Sequence, residues 1–351
     1  MTFADLRSSP EPAPRSVEEL EERLSRPSPA AIAAMQRLEG DLVLLGVGGK
    51  MGPTLARMAR RASDAAGASR RIFGVSRFTS PVARQRLEDC GVETIPCDLL
   101  DPRAAEQLPD AANVIYMTGM KFGASGNPGT TWAMNCYAPA VACRRYASSR
   151  IVAFSTGNVY GLTSVAGGGS VETDAPRPDG EYAMTALGRE RMFQYFSSAQ
   201  GTPTVLLRLN YATELRYGVL VDLARNVHAG EPVDVSMGHV NVIWLADANA
   251  MTLAAFDHVA PGARILNLAG ADILSLADVA RRYGERMGRD VQLVGQSGPD
   301  ALLNNGHASY PLLGAPQVDA RTMIDWTADW VARGGENLGK PTHFQVRNGK
   351  F

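Results

Sequence analysis

Short apolar runs alternate with amphipathic stretches along most of the chain, beginning at Asp41. The first run, LVLLGV at 42–47, has no polar residue and contains glycines at its end, which is typical of a parallel strand buried on both faces. Further apolar runs leave room for a helix between them: RIFGV (71–75), VETIPCD (92–98), NVIYMTG (113–119), RIVAFST (150–156), TPTVLLRLN (202–210) and RILNLAG (264–270). Strands that alternate with helices predict an α/β protein with a Rossmann-type doubly wound parallel sheet.

A glycine-rich loop joins the first predicted strand to the first helix of this alternation. Its glycines allow a tight turn and a close approach of the backbone to a phosphate, and the following helix offers unpaired N–H groups. A glycine pattern alone is weak evidence, but its place between a strand and a helix favours a dinucleotide-binding loop over a purely structural turn. The candidate cofactor-binding residues of this loop are Gly46, Gly48, Gly49, Lys50, Met51 and Gly52.

The residues after the second predicted strand bear on which dinucleotide is bound. An Asp or Glu there would bond the ribose 2′-hydroxyl of NAD, whereas this chain has Ser76 and Arg77. A hydroxyl and a guanidinium suit a 2′-phosphate, because arginine binds phosphate in a bidentate way. We therefore expect NADP as the cofactor, with NAD as the alternative.

The pattern divides the chain into three parts. Residues 1–40 are expected to form an N-terminal helical extension, since Ser16 and Glu19 have the spacing of a capping box. Residues 41–210 carry the regular alternation and are expected to form a dinucleotide-binding Rossmann domain. Residues 211–351 are expected to form mainly a smaller C-terminal substrate lobe, with some strands and helices returning to the sheet.

Composition and charge argue against several classes of protein. The 351 residues include 35 basic and 36 acidic side chains, so the chain lacks the basic excess of a nucleic-acid-binding protein. No apolar run reaches the about 20 residues of a membrane span, and the first residues lack the apolar core of a secretory signal. The four cysteines do not have the spacing of a metal site or a disulfide framework. We expect a cytoplasmic protein that binds no metal, nucleic acid or membrane.

Several short motifs resemble those of one superfamily and occur in its order. They are CDLLD (97–101), YMTG (116–119), Asn135, FSTGNVYG (154–161), Tyr182 and LRLN (207–210). Over about residues 41–300 the chain resembles the extended short-chain dehydrogenase/reductase superfamily, whose members include NAD-dependent epimerases and dehydratases. The resemblance implies that the cofactor is bound or lined by Asp98, Leu99, Met117, Thr118, Gly119 and Asn135.

The resemblance also implies the chemistry of the site. In this superfamily a tyrosine passes a proton during hydride transfer, a serine or threonine orients the substrate oxygen, and a lysine four residues after the tyrosine lowers the tyrosine pKa. Tyr182 and Thr156 fit the first two roles. Position 186 is alanine, which cannot supply the positive charge.

Three explanations of Ala186 are open. A basic group from elsewhere can replace the lysine: Lys121, just after the fourth strand, is the first candidate, and Arg189, two turns along the helix, is a weaker one. Alternatively, Tyr182 acts without this help, in a slow reaction or with another base. Thirdly, the site is inactive and the cofactor is bound by a sensor or scaffold. The candidate catalytic residues are Thr156, Tyr182 and Lys121.

Two departures from the superfamily pattern limit the reactions and substrates that we expect. Gly157 and Asn158 stand where dehydratases carry an acidic pair, which disfavours loss of water. Segment 238–244 has no arginine to hold a diphosphate, which favours a smaller sugar, sugar acid or hydroxy acid over a nucleotide sugar. The candidate substrate residues are Asn158, Asn210, Arg216 and His239, with Arg208 as a second candidate for a carboxylate and Asn241 for a hydroxyl.

Together these features predict an NAD(P)-dependent oxidoreductase or epimerase that acts on a small carbohydrate-like alcohol or ketone. The alternative is a catalytically weak or inactive dinucleotide-binding sensor or scaffold. A homodimer is expected, because members of the superfamily often pair through the helices that carry the regions of Asn135 and Tyr182.

Overall fold

The computed structural model of the protein describes residues 11–121, 123–124 and 126–349. Its strands are β1 (Leu42–Leu45), β2 (Ile72–Ser76), β3 (Glu93–Pro96), β4 (Asn113–Tyr116), β5 (Arg150–Thr156), β6 (Thr163–Ser164), β7 (Thr204–Leu209), β8 (Ala212–Thr213), β9 (Val233–Asp234), β10 (His239–Val240), β11 (Ile243–Trp244), β12 (Arg264–Leu268), β13 (Leu274–Ser275), β14 (Leu293–Val294) and β15 (Asp300–Ala301). Seven of them form one parallel sheet in the order β12–β7–β5–β4–β1–β2–β3. The predicted fold class is confirmed.

Helices cover both faces of this sheet. They are α1 (Val17–Leu24), α2 (Pro29–Arg37), α3 (Gly52–Ala65), α4 (Pro81–Glu88), α5 (Pro102–Glu106), α6 (Pro128–Trp132), α7 (Ala138–Arg145), α8 (Gly180–Gln200), α9 (Val219–Ala229), α10 (Leu245–Ala254), α11 (Leu276–Met287), α12 (Tyr310–Leu313) and α13 (Ala320–Ala332). None of the helices in the described part of the chain combines the length and apolar character that crossing a bilayer requires.

Strand β1 shows why the sheet is buried on both sides. Its alternate residues Leu42 and Leu44 join the core formed with α2, α3 and α10, whereas Val43 and Leu45 join the core formed with α5, α7 and α8. All four side chains are fully buried, since successive residues of a strand point to opposite faces. The unbroken apolar run of the sequence therefore marks a central strand.

The order of the strands reverses at β1, which lies between β4 and β2. Chain connections leave such a point in opposite directions, so a crevice opens at the carboxyl ends of the neighbouring strands. The glycine-rich loop follows β1 and the segment Met117–Lys121 follows β4. The fold thus brings these two segments to the crevice where ligands bind in doubly wound sheets.

The helix predicted near 130–148 is divided by a π-helical turn, Ala133–Tyr137, between α6 and α7. Pro139 has no N–H and cannot donate to the carbonyl of Asn135, four residues before it. A π-helical turn accommodates this lost bond, and such turns are frequent at functional sites. Asn135 lies within it and is fully buried.

The N-terminal helices pack into the body of the protein. Ser16 caps α1 by accepting a hydrogen bond from the backbone N–H of Glu19, as its spacing predicts. Leu20 and Leu24 are buried in the core of the C-terminal lobe, and Met35 of α2 is buried against the sheet. Residues 1–10 of the predicted extension lie outside the described residues.

The C-terminal lobe is built from α9, α11, α13 and pairs of short strands around one apolar core. Residues 340–349, which we name the C-terminal strap, return across this lobe. Phe344 of the strap is buried in the lobe core. Thr342 donates two hydrogen bonds to the Oδ2 atom of Asp222 on α9, from its N–H at 2.8 Å and from its hydroxyl at 2.6 Å.

Candidate active site

The glycine loop has the geometry of an anion cradle. Gly46 has a φ of +92°, and a side chain there would collide with Thr118. A side chain on Gly52 would collide with the carbonyl of Val47. Helix α3 begins at Gly52, and no side chain caps its first N–H groups. These N–H groups point toward the crevice end of the loop, where a helix N-terminus favours a phosphate.

The residues at the ends of the next two strands, β2 and β3, also fit a dinucleotide. Ser76, at the end of β2, lies against the loop, since a side chain on Gly48 would collide with its hydroxyl. The next residue, Arg77, is exposed. Asp98 is half-buried after β3 and accepts the N–H of Leu100 at 3.0 Å, while Leu99 is buried.

Thr118 carries a polar atom with no assigned partner. Its hydroxyl is buried against Gly46 and has no hydrogen-bond partner within the described part of the chain. A buried hydroxyl left unpaired costs free energy unless a ligand satisfies it, so this atom supports the predicted cofactor contact. Met117 beside it is half-buried against the sheet core, and its N–H donates to the carbonyl of Leu45 at 2.9 Å.

Asn135 uses its side chain to hold the segment after β4. Its amide donates to the carbonyl of Met120 at 2.9 Å and to the hydroxyl of Thr185 at 2.8 Å. Its oxygen accepts the N–H of Met120 at 2.9 Å and a guanidinium N–H of Arg189 at 2.6 Å. The predicted direct contact of Asn135 with the cofactor is not supported by this geometry, which instead positions the residue before Lys121.

The structure places Lys121 beside Tyr182. Tyr182 lies in the first turn of α8, and the Nζ atom of Lys121 is 5.7 Å from the centre of its ring. Burial lowers the pKa of Lys121 to about 8. Thr156 ends β5, where its hydroxyl accepts the N–H of Asn158 and bonds the Asn158 side-chain oxygen, both at 3.2 Å. These three side chains come from the ends of β4 and β5 and the start of α8.

Arg189, the other basic residue considered as a replacement for the missing lysine, is held by buried hydrogen bonds. Ala186 is fully buried against Val159 and Tyr160. The Arg189 guanidinium donates to the carbonyl of Phe154 at 3.1 Å as well as to Asn135. A side chain on Gly119 would collide with this guanidinium. Arg189 is thus a buried support beneath the strand ends, and Lys121 is the cation that faces the Tyr182 ring.

Two of the predicted substrate residues take part in structural networks. The Asn210 side chain donates to the side-chain oxygen of Asn241 at 2.6 Å, and Asn241 in turn donates to the carbonyl of Asn304 at 2.6 Å. Asn210 is only 2% exposed, so its amide ties β7 to the lobe and does not face a ligand. Asn158, by contrast, lines a cavity of about 250 Å³ together with Arg177 and other residues.

Neither of the arginines predicted for a substrate carboxylate is placed to bind one. Arg216 is paired with Glu214 at 3.0 Å and with Glu21 of α1 at 2.7 Å. Arg208 is paired with the fully buried Glu190 at 2.7 Å. Both guanidiniums are buried, and their carboxylate partners keep them from a ligand.

His239 lies on β10, paired with β13 in the C-terminal lobe, and is half-buried. Its Nδ1 atom is buried and has no hydrogen-bond partner among the residues that the structure describes. A role in substrate binding stays a prediction for this residue. Among the described residues, His, Cys, Asp and Glu side chains form no group of three that could hold a metal ion.

Two further tyrosines adjoin Tyr182 and were not predicted from the sequence. Tyr211 follows β7 with a φ of +37°, and burial, together with the nearby Tyr182, raises its pKa. Burial also raises the pKa of Tyr217, as do Asp222, Tyr182 and Tyr211 around it. A signal existed in the sequence, because both tyrosines follow the carboxyl end of a parallel strand, where ligands bind.

The side chain of Lys50 lies over the ring of Tyr217. Its Nζ atom lies 3.2 Å from the centre of the Tyr217 ring, on the side of the C-terminal lobe. Burial, together with the charges of Lys121 and Lys340, lowers the pKa of Lys50 to about 7. The backbone of Lys50 remains part of the glycine loop, but its ammonium faces the Tyr182 side of the crevice.

The sequence of this crevice and its sheet matches a known family. Residues 42–269 match the sequence model of the NAD dependent epimerase/dehydratase family. The chain belongs to this family. The matched residues run from the first residue of β1 to just after β12, so they include all seven strands of the parallel sheet. No curated protein matches the sequence of this chain significantly.

Solved structures with the same fold include several that contain NAD, two of them together with a nucleotide sugar. MoeE5 in complex with UDP-glucuronic acid and NAD is 20% identical, with a TM-score of 0.69 over 84% of this chain and 100% of that chain. UDP-glucuronic acid 4-epimerase from Bacillus cereus, with UDP-glucuronic acid and NAD, is 16% identical, with a TM-score of 0.70 over 84% and 99%. UDP-glucose 4-epimerase from Thermus thermophilus, with NAD, is 19% identical, with a TM-score of 0.68 over 84% and 99%.

Proposed function

We propose that this member of the epimerase/dehydratase family is an NAD(P)-dependent oxidoreductase or epimerase that acts on a small sugar, sugar acid or related ketone. The observation that carries the proposal is the position of Lys121, whose ammonium faces the Tyr182 ring at 5.7 Å. An ammonium near a phenol stabilises the phenolate, so Lys121 supplies the charge that Ala186 cannot. An inactive scaffold would not need this arrangement.

The roles of the residues follow from their positions. A bound nicotinamide supplies the hydride donor and acceptor. Tyr182 gives a proton to the substrate oxygen during reduction, or takes it during oxidation. Thr156 orients that oxygen with its hydroxyl at the end of β5. Lys121 stabilises the phenolate that Tyr182 becomes after giving its proton, and Asn135 holds the backbone before Lys121 in place.

The substrate is proposed to be smaller than a nucleotide sugar. The segment from Gly238 to Trp244 offers no arginine for a diphosphate. Both candidate arginines, Arg208 on β7 and Arg216, are paired with buried or half-buried glutamates. Gly157 and Asn158 provide no acid for loss of water. A reaction limited to hydride and proton transfer at one carbon is therefore favoured.

One assay separates the two reactions. The purified protein is incubated with NAD or NADP and a panel of sugars, sugar acids and hydroxy acids, and both reduced cofactor and product stereochemistry are followed. A dehydrogenase releases reduced nicotinamide, whereas an epimerase converts the substrate with no net change in the cofactor. Cofactor binding without turnover on the whole panel would contradict the proposal and favour the sensor or scaffold.

We further propose NADP as the preferred dinucleotide, because Ser76 ends β2, the exposed Arg77 follows it, and no carboxylate occurs within the next three residues.

Replacing Arg77 with alanine is expected to weaken NADP binding about 10- to 100-fold, since charge-assisted hydrogen bonds to phosphate are lost. NAD binding should be unchanged. Calorimetric titration of both cofactors measures this, with R321A, another exposed arginine, as the matched control. Equal losses for NAD and NADP would contradict it.

The homodimer is supported by exposed apolar side chains. Trp132 precedes the π-helical turn and Tyr137 is its last residue, while Met184 and Tyr195 lie on the adjoining α8. All four side chains are exposed. Large apolar side chains grouped on one pair of helices are typical of an interface.

Sedimentation velocity should show a dimer that the variant Y195E weakens. The control variant V294E, which changes an exposed apolar residue of the lobe, should leave the dimer intact. A monomeric wild-type protein would contradict this.

A further inference from the structure

Arg189 is a buried arginine for which the described part of the chain provides no carboxylate partner. The residue is 6% exposed, and its Nε atom is buried with no hydrogen-bond partner among the described residues. The neighbouring carboxylate, that of Glu190, is paired with Arg208. A guanidinium buried without a counter-ion costs folding free energy, and proteins keep such conflicts mainly at functional sites. The contacts of Arg189 therefore indicate its task.

The guanidinium of Arg189 contacts three segments that end at the crevice. Its Nη2 atom donates to the side-chain oxygen of Asn135, in the π-helical turn, at 2.6 Å. Its Nη1 atom donates to the carbonyl of Phe154, two residues before the end of β5, at 3.1 Å. A side chain on Gly119 would collide with Nη2, so the guanidinium also lies directly against the backbone two residues before Lys121. One side chain of α8 thus joins β5, the π-helical turn and the segment after β4.

The side chain of Asn135 extends this connection to the residue before Lys121. Its oxygen accepts the N–H of Met120 and the guanidinium of Arg189, and its nitrogen donates to the carbonyl of Met120 and the hydroxyl of Thr185. An asparagine amide has two donors and two acceptor lone pairs, so all four are used here. The orientation of this amide is therefore fixed, and with it both polar groups of the Met120 backbone.

Thr185 links the same amide to the turn of α8 that carries Tyr182. Its hydroxyl accepts from Asn135 and lies within hydrogen-bond distance of the carbonyls of Glu181, at 2.7 Å, and Tyr182, at 3.1 Å. The segment before Lys121 and the first turn of α8 are thus bound to one side chain. The distance of 5.7 Å between the Lys121 ammonium and the Tyr182 ring is spanned by this network.

We propose that Arg189 is a positioning residue that holds Lys121 at Tyr182 by bracing Asn135 against the end of β5. This inference rests on the proposed function and specifies how it tolerates Ala186. A lysine at position 186 would be placed by the helix itself, whereas Lys121 follows a strand and its backbone needs partners from other elements. The planar fork of a guanidinium reaches two acceptors at once, which a single ammonium or an uncharged side chain does less well.

The first test follows Lys121 directly by nuclear magnetic resonance of protein that carries isotope-labelled lysine. The chain has four lysines, and the signal absent from K121M assigns Lys121. Burial lowers its pKa to about 8, and release of the segment in R189M should raise that pKa to about 9 or higher. R189K keeps the charge but not the fork, so it should raise the pKa as well.

The control R191M removes an exposed arginine of the same helix, bonded to Gln194, and should leave the pKa of Lys121 near 8. A pKa that stays near 8 in R189M would overturn the proposal. A rise in R189M but not in R189K would also overturn it, because it would reflect only the lost repulsion between two cations. R189K carries this test if R189M does not fold.

The second test is a double-mutant cycle on kcat. R189M should lower kcat about tenfold and leave KM and dinucleotide affinity within about threefold of wild type. Because Arg189 acts through Lys121, the double variant R189M/K121M should be within about threefold of K121M alone. A tenfold loss that recurs in the K121M background would overturn the proposal and leave the proposed function standing. Absence of wild-type turnover would contradict the proposed function instead, and the lysine titration would still decide whether Arg189 positions Lys121.

Discussion

Replacing Tyr182 with phenylalanine is expected to lower kcat about 10²- to 10⁴-fold, the usual contribution of a positioned acid or base. The change removes only the hydroxyl that we assign to proton transfer, and the ring that packs beside Lys121 remains. Because we propose that the dinucleotide binds at the glycine loop, its affinity should be unchanged. Steady-state kinetics on the best substrate of the panel, with calorimetry of the cofactor, measures both quantities.

Tyr195 provides the matched control for this variant. It lies on the same helix, α8, and is 63% exposed, so Y195F removes the same atom at a distance from the crevice. Y195F should retain the wild-type rate. A Y182F protein that also retains it would remove Tyr182 from the mechanism, whatever the position of its ring.

Replacing Lys121 with methionine is expected to have the second-largest effect on kcat. It removes the ammonium 5.7 Å from the Tyr182 ring while keeping a long side chain in the same half-buried space. Without the charge the phenolate form of Tyr182 is less stable, and we expect kcat to fall about 10²-fold. In the proposed mechanism Thr156 still orients the substrate oxygen and Tyr182 still carries the proton, so the residual rate should exceed that of Y182F.

The pH profile tests the charge of Lys121 itself. Its pKa is lowered to about 8 by burial, so the ammonium is present below pH 8 and is lost as pH rises through that value. In the direction of ketone reduction, wild-type kcat should fall above about pH 8. Arginine stays charged, so K121R should recover part of the rate and lose this alkaline fall. Wild-type turnover by K121M at every pH would exclude the assigned role.

The sheet was predictable because its signals are local. The strand predicted at 150–156 is β5, Arg150–Thr156, and the one at 264–270 begins at the same residue as β12. Unbroken apolar runs between amphipathic helices leave few alternatives for their arrangement, since parallel strands need crossovers of one hand. The helix predicted near 130–148 is present as α6 and α7, and only the π-helical turn Ala133–Tyr137 between them, just before Pro139, was not predicted.

The site was predictable only in part. The glycine loop and Thr118 follow strands that the sequence indicates, and Lys121 was chosen because it follows β4. Arg216 looked suitable for a substrate carboxylate, but its partners include Glu21, which lies far earlier in the chain. No spacing rule reveals that such a pair will form, because it depends on how α1 packs against the lobe.

The sequence by itself determined the α/β sheet, the family and the absence of a lysine at position 186, because these depend on residues close together in the chain. The tertiary structure alone decided which cation faces Tyr182 and which side chains line the crevice. Lys121 follows β4, and Tyr182 lies in the first turn of α8, far along the chain. Only the tertiary packing brings these two side chains together, because no local pattern links the end of β4 to the start of α8.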